Sequence, residues 1–286
     1  MSDKKVAGMS REFFVQVKNI YPPFLEGELF ETYFYKYIQN KCPKRKYIDV
    51  TWTNLYCNQR FEGIPFNEAK LQAELSLLPK NDKYFTVVQF DEGVLEKLPE
   101  NTLVFGCCSG NIPIPLTYES KYLDNIRKKT WKDKNIFCSF FGKHTHNVRH
   151  KLHEYVLSQK KEDYMYHLVS GPYNKEIYIN STISSKFVLC PRGFGRSSFR
   201  FFEVLKLGSV PVYIWDDINW LPFQDKIDHS RLAVVLNISQ IGLLDSVLKS
   251  ISEDRYSDMI SYGEKVKDYF TYDGMCREIE SIVNKD

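Results

Sequence analysis

The stretch that most limits how this chain can fold runs from Ser185 to Asp217. Its apolar run Phe187–Cys190 reads as a strand that Pro191 stops, and Gly193 and Gly195 open the loop that follows. Ser197 or Ser198 then suits the N-cap of a helix over Ser198–Leu207. Gly208 turns the chain into a second strand, Val210–Trp215. Strand, loop, helix, glycine turn and strand in succession make the unit of a parallel α/β sheet.

The rest of the chain repeats this alternation. A helix is expected over residues 29–40, strands over Tyr47–Trp52, Tyr84–Phe90 and Thr102–Cys107, and a helix over Asn67–Leu78, with a loop at Pro113/Pro115. Residues 120–135 are Lys-rich and read as a linker, or alternatively as a solvated helix. A second set follows: strand Asn135–Phe141, helix Val148–Lys160, the Ser185–Asp217 unit, strand Leu232–Leu236 and helix Ile241–Ile251. Two α/β units of similar size make a cleft between domains the default place for a ligand.

The loop of the Ser185–Asp217 unit carries unusual charge. Arg192, Arg196 and Arg200 surround the expected helix start, beside two serine hydroxyls and the free N–H groups of a helix N-terminus. Together they describe a diphosphate site. Glu203, about one turn further along, suits the two hydroxyls of a ribose. The bland alternative pairs Glu203 with Arg200 or Lys206 on an exposed face.

Composition removes other classes. The chain is 43% hydrophobic and 26% charged, enough for a core and unlike a disordered chain. A net charge of +3 gives no bulk argument for nucleic acid or a membrane surface. Seven cysteines without a Cys-x-x-Cys pair speak against a disulfide framework and a zinc ribbon. Met1–Lys5 leads into polar residues rather than a signal peptide, and no apolar run reaches the ~18 residues of a membrane span. A reduced, cytoplasmic protein is expected, with no membrane and no nucleic-acid partner, as a monomer or homodimer. No Gly-x-Ser-x-Gly elbow or Walker A motif occurs.

The order Ser185-Lys186-Phe187, Cys190 to Arg200, Glu203, Leu207-Gly208, Pro211-Val212, Asp216-Asp217 and Leu221-Pro222-Phe223 resembles the signature of the exostosin family of glycosyltransferases. Weaker likeness extends to Phe140-Phe141-Gly142 with Arg149 and Leu152, to Ile112–Pro115, and to Tyr84–Asp91. In length and in lacking a recognisable anchor the chain is similar to the short soluble forms of large DNA viruses of algae, which would place it in the host cytoplasm. The resemblance implies a GT-B fold, two Rossmann-like domains facing across a cleft, and inverting transfer from a UDP-sugar to a glycan hydroxyl. The domains are expected at 1–130 (acceptor side), 131–262 (nucleotide sugar) and 263–286, a helix returning to the first domain. The donor-binding set is Arg149, Arg192, Gly193, Gly195, Arg196, Ser197, Ser198, Arg200 and Glu203. Kinship with the small viral forms points to a pentose such as xylose. Alternatives in other classes are a non-catalytic sugar- or nucleotide-binding module, and a UDP-sugar hydrolase or phosphorylase.

Inverting transfer needs a group that takes the acceptor proton as the bond forms. Asp91, ending the run Tyr84–Phe90, is the first choice, with a turn or helix-cap aspartate as the bland reading. Glu92, Glu119 and His144 are the reserves, with Asp49 or Glu62 behind them. No cofactor is expected. His144, His146, His150 and His153 invite a metal reading, but no Cys accompanies them; a polar loop beside the donor pocket is the preferred reading. Asp-x-Asp occurs nowhere, so cationic side chains are expected to offset the leaving diphosphate, and Asp216 and Asp217 read as capping or loop residues.

Overall fold

The computed structural model describes residues 6–15, 27–159, 163–168 and 174–285. Met1–Lys5 and the Lys160 end of the expected helix lie outside them. The chain forms two compact units, Met1–Glu119 with Tyr269–Asp286, and Ser120–Asp268. Both are α/β with all-parallel sheets, the two Rossmann-like units that a GT-B fold calls for.

In the first unit, β1 (Lys46–Tyr47), β2 (Tyr84–Val88), β3 (Thr102–Gly106) and β4 (Ile112–Pro113) pair in that order. Helices α1 (Phe30–Ile38), α2 (Trp52–Glu62) and α3 (Glu68–Leu77) flank the sheet. The strand expected over Tyr47–Trp52 shrinks to two residues because Trp52 opens α2. Its indole is wholly buried and donates Nε1–H to Thr86 Oγ1 at 2.7 Å, so packing overrides the β preference of these residues.

Beneath the carboxyl end of β2 lies Glu31, fully buried on α1. Its Oε1 accepts the Gln89 N–H at 2.8 Å and its Oε2 the Thr53 N–H at 3.1 Å, with the Thr53 hydroxyl as a third donor. Burial pushes its carboxyl up to about 7 although these hydrogen bonds pull the other way. The folded state thus keeps a proton that the unfolded chain loses near pH 4.5. That stability is fully present below pH 4.5 and is lost as pH rises through about 7. Melting temperature is expected to fall between pH 5 and 7.5, as calorimetry would record. Glu31→Gln should flatten the slope from a lower plateau, because its amide nitrogen would face the Thr53 N–H.

In the second unit, α4 (Lys121–Asp124) and a 3-10 turn (Trp131–Asp133) occupy the expected linker, so this unit begins at 120 rather than 131. Strands β5 (Ile136–Gly142), β6 (Tyr164–Leu168), β7 (Ser185–Pro191), β8 (Val210–Trp215) and β9 (Val234–Asn237) pair in the order β6-β5-β7-β8-β9. Crossovers include α5 (Asn147–Ser158), α6 (Lys175–Ser184) and α7 (Phe199–Lys206). Val148, Leu152 and Val156, one face of α5, join Phe140, Leu189 and Val212 in the core. Each such side chain contributes roughly 1.5–3 kcal/mol by leaving water. The chain order reverses between β5 and β7, which makes the carboxyl ends of these two strands the topological switch point.

The helix expected over Ile241–Ile251 resolves into a 3-10 segment (Ile238–Leu243) and α8 (Leu244–Lys249), followed by α9 (Glu253–Val266). The last helix, α10 (Tyr272–Val283), belongs to the first unit, which resumes at 269 rather than 263. There Tyr272 donates its hydroxyl to Glu28 O at 2.7 Å and Tyr33 to Asp273 Oδ1 at 2.6 Å. No helix among the described residues is long and apolar enough to cross a membrane.

Candidate functional site

The switch point of the second unit gathers the residues singled out in the Ser185–Asp217 segment. Arg192 leaves β7 as the first residue past the strand. Register Pro191↔Ile214 sets it beside the end of β8, so its side chain meets Asp216 and Asp217. Its Nη1 donates to Asp216 Oδ1 at 2.7 Å and to Asp217 Oδ1 at 2.9 Å, and its Nη2 to Phe194 O at 3.2 Å. Arg196 Nε donates to Asp217 Oδ2 at 2.8 Å. The Arg196 guanidinium carbon also lies 5.7 Å from the centre of the Trp220 ring. Burial works against the Asp217 carboxylate, but the Arg196 bond, the Ile218 N–H and the charges of both arginines outweigh it and hold its pKa below the ordinary value.

Asp216 and Asp217 lie in the loop after β8, as expected, and there they accept hydrogen bonds from two guanidiniums. Sequence reasoning missed this pairing. The signal was present, since the ends of adjacent parallel strands must juxtapose Pro191-Arg192 and Trp215-Asp216-Asp217.

Arg149 and Arg200 act differently from the other two arginines. Arg149, on α5, donates Nε to Arg192 O at 2.9 Å and Nη1 to Lys143 O at 2.8 Å, tying the loop after β5 to the loop after β7. Arg200, in the first turn of α7, donates Nη2 to Phe141 O at 2.7 Å and lies 4.8 Å over the Phe140 ring. Both are only 7% exposed. At Gly142 a Cβ would come within 2.6 Å of Arg200 Nη2, so a side chain there would displace the guanidinium. At Gly193 a Cβ would press on Arg149 Nη2 at 3.3 Å, while Gly195 is buried in the same loop.

Ser198 is the N-cap of α7 and makes no side-chain cap bond. Ser197 is buried beside it. Tyr213 pins this loop by donating its hydroxyl to Arg196 O at 2.9 Å and accepting the Trp220 N–H at 3.2 Å. Glu203 lies on a buried face, 6% exposed, where the Tyr178 hydroxyl donates to its Oε2 at 2.6 Å. The exposed-face reading of this carboxylate therefore does not apply.

His146 caps α5, its Nδ1 accepting the Val148 N–H at 3.3 Å, with Asp216 Oδ2 3.9 Å away. Burial and the Arg192 charge lower its pKa, which keeps the ring neutral at pH 7. The His144 ring lies 4.3 Å from that of His150 and 4.9 Å from that of His153. Burial, then its His neighbours, lower its pKa too. No group of three or more His, Cys, Asp or Glu among the described residues could hold a metal ion.

The remaining candidates belong to the first unit. Asp91 follows β2 in a turn closed by the Gly93 N–H on Phe90 O at 3.0 Å, and Gly93 has φ +82°. Asp91 is half-buried, with Cys108 Sγ 3.7 Å from its Oδ1. Glu92 is exposed and pairs with Arg60 at 2.7 Å; Glu119 is exposed. Asp49 is buried and accepts the Met9 N–H at 3.1 Å, a structural role, while Glu62 ends α2 in solvent.

The Exostosin GT47 domain model matches residues 106–251, just over half of the 286 residues. An exostosin-1 homolog of Caenorhabditis elegans is 34% identical over 111 residues, 38% of this chain and 27% of that protein. A probable glucuronosyltransferase of Oryza sativa subsp. japonica is 39% identical over 77 residues, 27% of this chain and 18% of that protein. The chain thus covers less than a third of either relative. Among solved structures, a trehalose-6-phosphate synthase from work on glycosyl transfer with retention aligns over 90% of this chain and 72% of its own, at 9% identity and a TM-score of 0.47. With the signature segment lying inside the matched region, the chain belongs to the exostosin GT47 family of glycosyltransferases.

Proposed function

We propose that this chain transfers a sugar, a pentose such as xylose, from a UDP-sugar to a hydroxyl of a glycan acceptor with inversion at the anomeric carbon. The observation that carries this reading is the pair Arg192 and Arg196, held by Asp216 and Asp217 beside the start of α7 at a parallel-sheet switch point. A helix N-terminus and oriented guanidiniums suit a diphosphate that gains charge as the glycosidic bond breaks. In this reading the Nη groups of Arg196, the outer edge of Arg192 and the Ser197 and Ser198 hydroxyls receive the diphosphate. Glu203, aligned by Tyr178, takes the ribose, and Arg149 and Arg200 hold the loops at Gly142, Gly193 and Gly195 in place. Asp91 takes the acceptor proton, with Glu92, Glu119 and His144 in reserve.

Incubation with a panel of UDP-sugars, with and without glycan acceptors, tests the reading. Transfer only in the presence of an acceptor, giving the inverted anomer by NMR, is expected. Release of free sugar without transfer would make the chain a hydrolase, and UDP binding without turnover a binding module. Cationic side chains supply the electrostatics in this scheme, so activity is expected to survive EDTA. Loss in chelator with rescue by Mn²⁺ would overturn that part.

A further inference from the structure

His146 stands beside the arginine pair and its two carboxylates. It is the N-cap of α5, and its Nδ1 lies 3.9 Å from Asp216 Oδ2, while the other oxygen of that carboxylate bonds Arg192 Nη1 at 2.7 Å. The loop that carries His146 is fixed against the loop that carries Arg192. Arg149 donates to Lys143 O in the first at 2.8 Å and to Arg192 O in the second at 2.9 Å. A Cβ at Gly193 would meet Thr145 Oγ1 at 3.9 Å, so the two loops touch next to His146. The imidazole is 27% exposed and the Asp216 side chain 29%, which leaves this corner of the site open to solvent.

The helix cap sets the charge of the ring. Nδ1 accepts the Val148 N–H at 3.3 Å, so that nitrogen carries no proton and the ring is neutral, with its hydrogen on Nε2. Groups on three elements act on it. Burial first, then Arg192 in the loop after β7 and Arg149 on α5, oppose protonation. Asp216 and Asp217 in the loop after β8 favour it, and the balance leaves the pKa below the ordinary 6.5.

A diphosphate bonded to Arg192 reverses that balance. Its negative charge offsets the guanidinium that works against the imidazolium. A proton taken from solvent at Nδ1 then ends the Val148 bond and makes Nδ1 a donor toward Asp216 Oδ2. We propose that His146 is a third cation of the diphosphate site, neutral in the free protein near pH 7 and protonated from solvent as a nucleoside diphosphate binds Arg192. This rests on the donor reading above and adds to it a proton that enters with the nucleotide. By linkage, UDP must bind more tightly as pH falls toward the imidazole range, because the complex holds a proton that the free protein lacks.

The test is calorimetric titration of UDP into the full chain in buffers of different ionisation enthalpy, which counts the protons taken up. At pH 6.5 the parent is expected to take up roughly half a proton more than His146→Asn, whose side-chain oxygen keeps the α5 cap without titrating. The comparison cancels the protons that the terminal phosphate of UDP itself exchanges. Between pH 8 and pH 6.5, UDP affinity should rise about threefold more in the parent than in His146→Asn. His146→Lys, charged at both pH values, should bind UDP at pH 8 about threefold or more tighter than His146→Asn. Uridine, which has no phosphate, should show no proton excess. Equal uptake in the parent and His146→Asn, the same excess with uridine as with UDP, or no gain in His146→Lys would each overturn the proposal. Absence of UDP binding at pH 8, where the ring is neutral, would strike the donor reading and this proposal together. Binding at pH 8 without the proton excess at pH 6.5 would strike this proposal alone.

Discussion

Arg192→Ala is expected to weaken UDP binding by about tenfold to about 150-fold, the equivalent of the roughly 1.5–3 kcal/mol that a hydrogen bond to a charged group contributes. Two effects combine. The variant removes a guanidinium from the site, and of the two carboxylates that Arg192 bonded it leaves Asp217 to Arg196 and Asp216 without its arginine. Their negative charge then opposes the diphosphate. The loss should therefore be larger for UDP than for UMP, and larger for UMP than for uridine, when all three are titrated calorimetrically. Arg192→Ala combined with Asp216→Asn should recover part of it by removing one of the exposed charges. Affinities for UDP within twofold of the parent would remove Arg192 from the donor site. Equal losses for uridine and UDP would instead mean that the variant had disturbed the loop as a whole.

How much of this was legible beforehand depended on how local the determinant was. The Ser185–Asp217 unit was readable almost residue by residue, since an apolar run, a proline, two glycines and a serine N-cap are each local devices. Strand β8 coincides with the expected Val210–Trp215. Helix α2 was not legible. Trp52, Thr53 and Tyr56 carry β preference, and only tertiary partners such as Thr86 make them helical. Strand β6 and helix α6 also went unread, because their Tyr- and Ser-rich sequences have little apolar periodicity. At the site, residue types pointed to the cluster of arginines, but their division of labour did not follow. Arg200 points back to Phe141 O and Arg149 to Arg192 O because each lies on a helix that starts just past the carboxyl end of β5 or β7. Arg192 and Arg196 project from the loop itself. Which arginine bonds backbone carbonyls of the neighbouring loops and which bonds carboxylates is decided by this geometry, which no spacing rule encodes.

The largest effect is expected at Asp91, where replacement by Asn should leave UDP affinity and melting temperature unchanged and lower the transfer rate by about 10²- to 10⁴-fold, the range for loss of a general base. Asp91 stands just past the carboxyl end of β2, where parallel α/β sheets gather their ligands. Its surroundings fit the task better than those of the other first-unit candidates. Glu92 spends its carboxylate on Arg60, and Glu31, its carboxyl pushed up to about 7, is fully buried and holds the Gln89 N–H two residues upstream. Glu31 thereby fixes the backbone from which Asp91 projects. A turn aspartate without a catalytic role would behave otherwise: Asn forms such turns as readily as Asp, so the rate would stay close to the parent. Measuring UDP affinity by calorimetry alongside transfer by product chromatography separates the two. A rate within threefold of the parent would leave Asp91 as a turn residue and send the search to Glu119 and His144. A fall in rate that tracks a fall in melting temperature would show that the turn, and not the proton, had been lost.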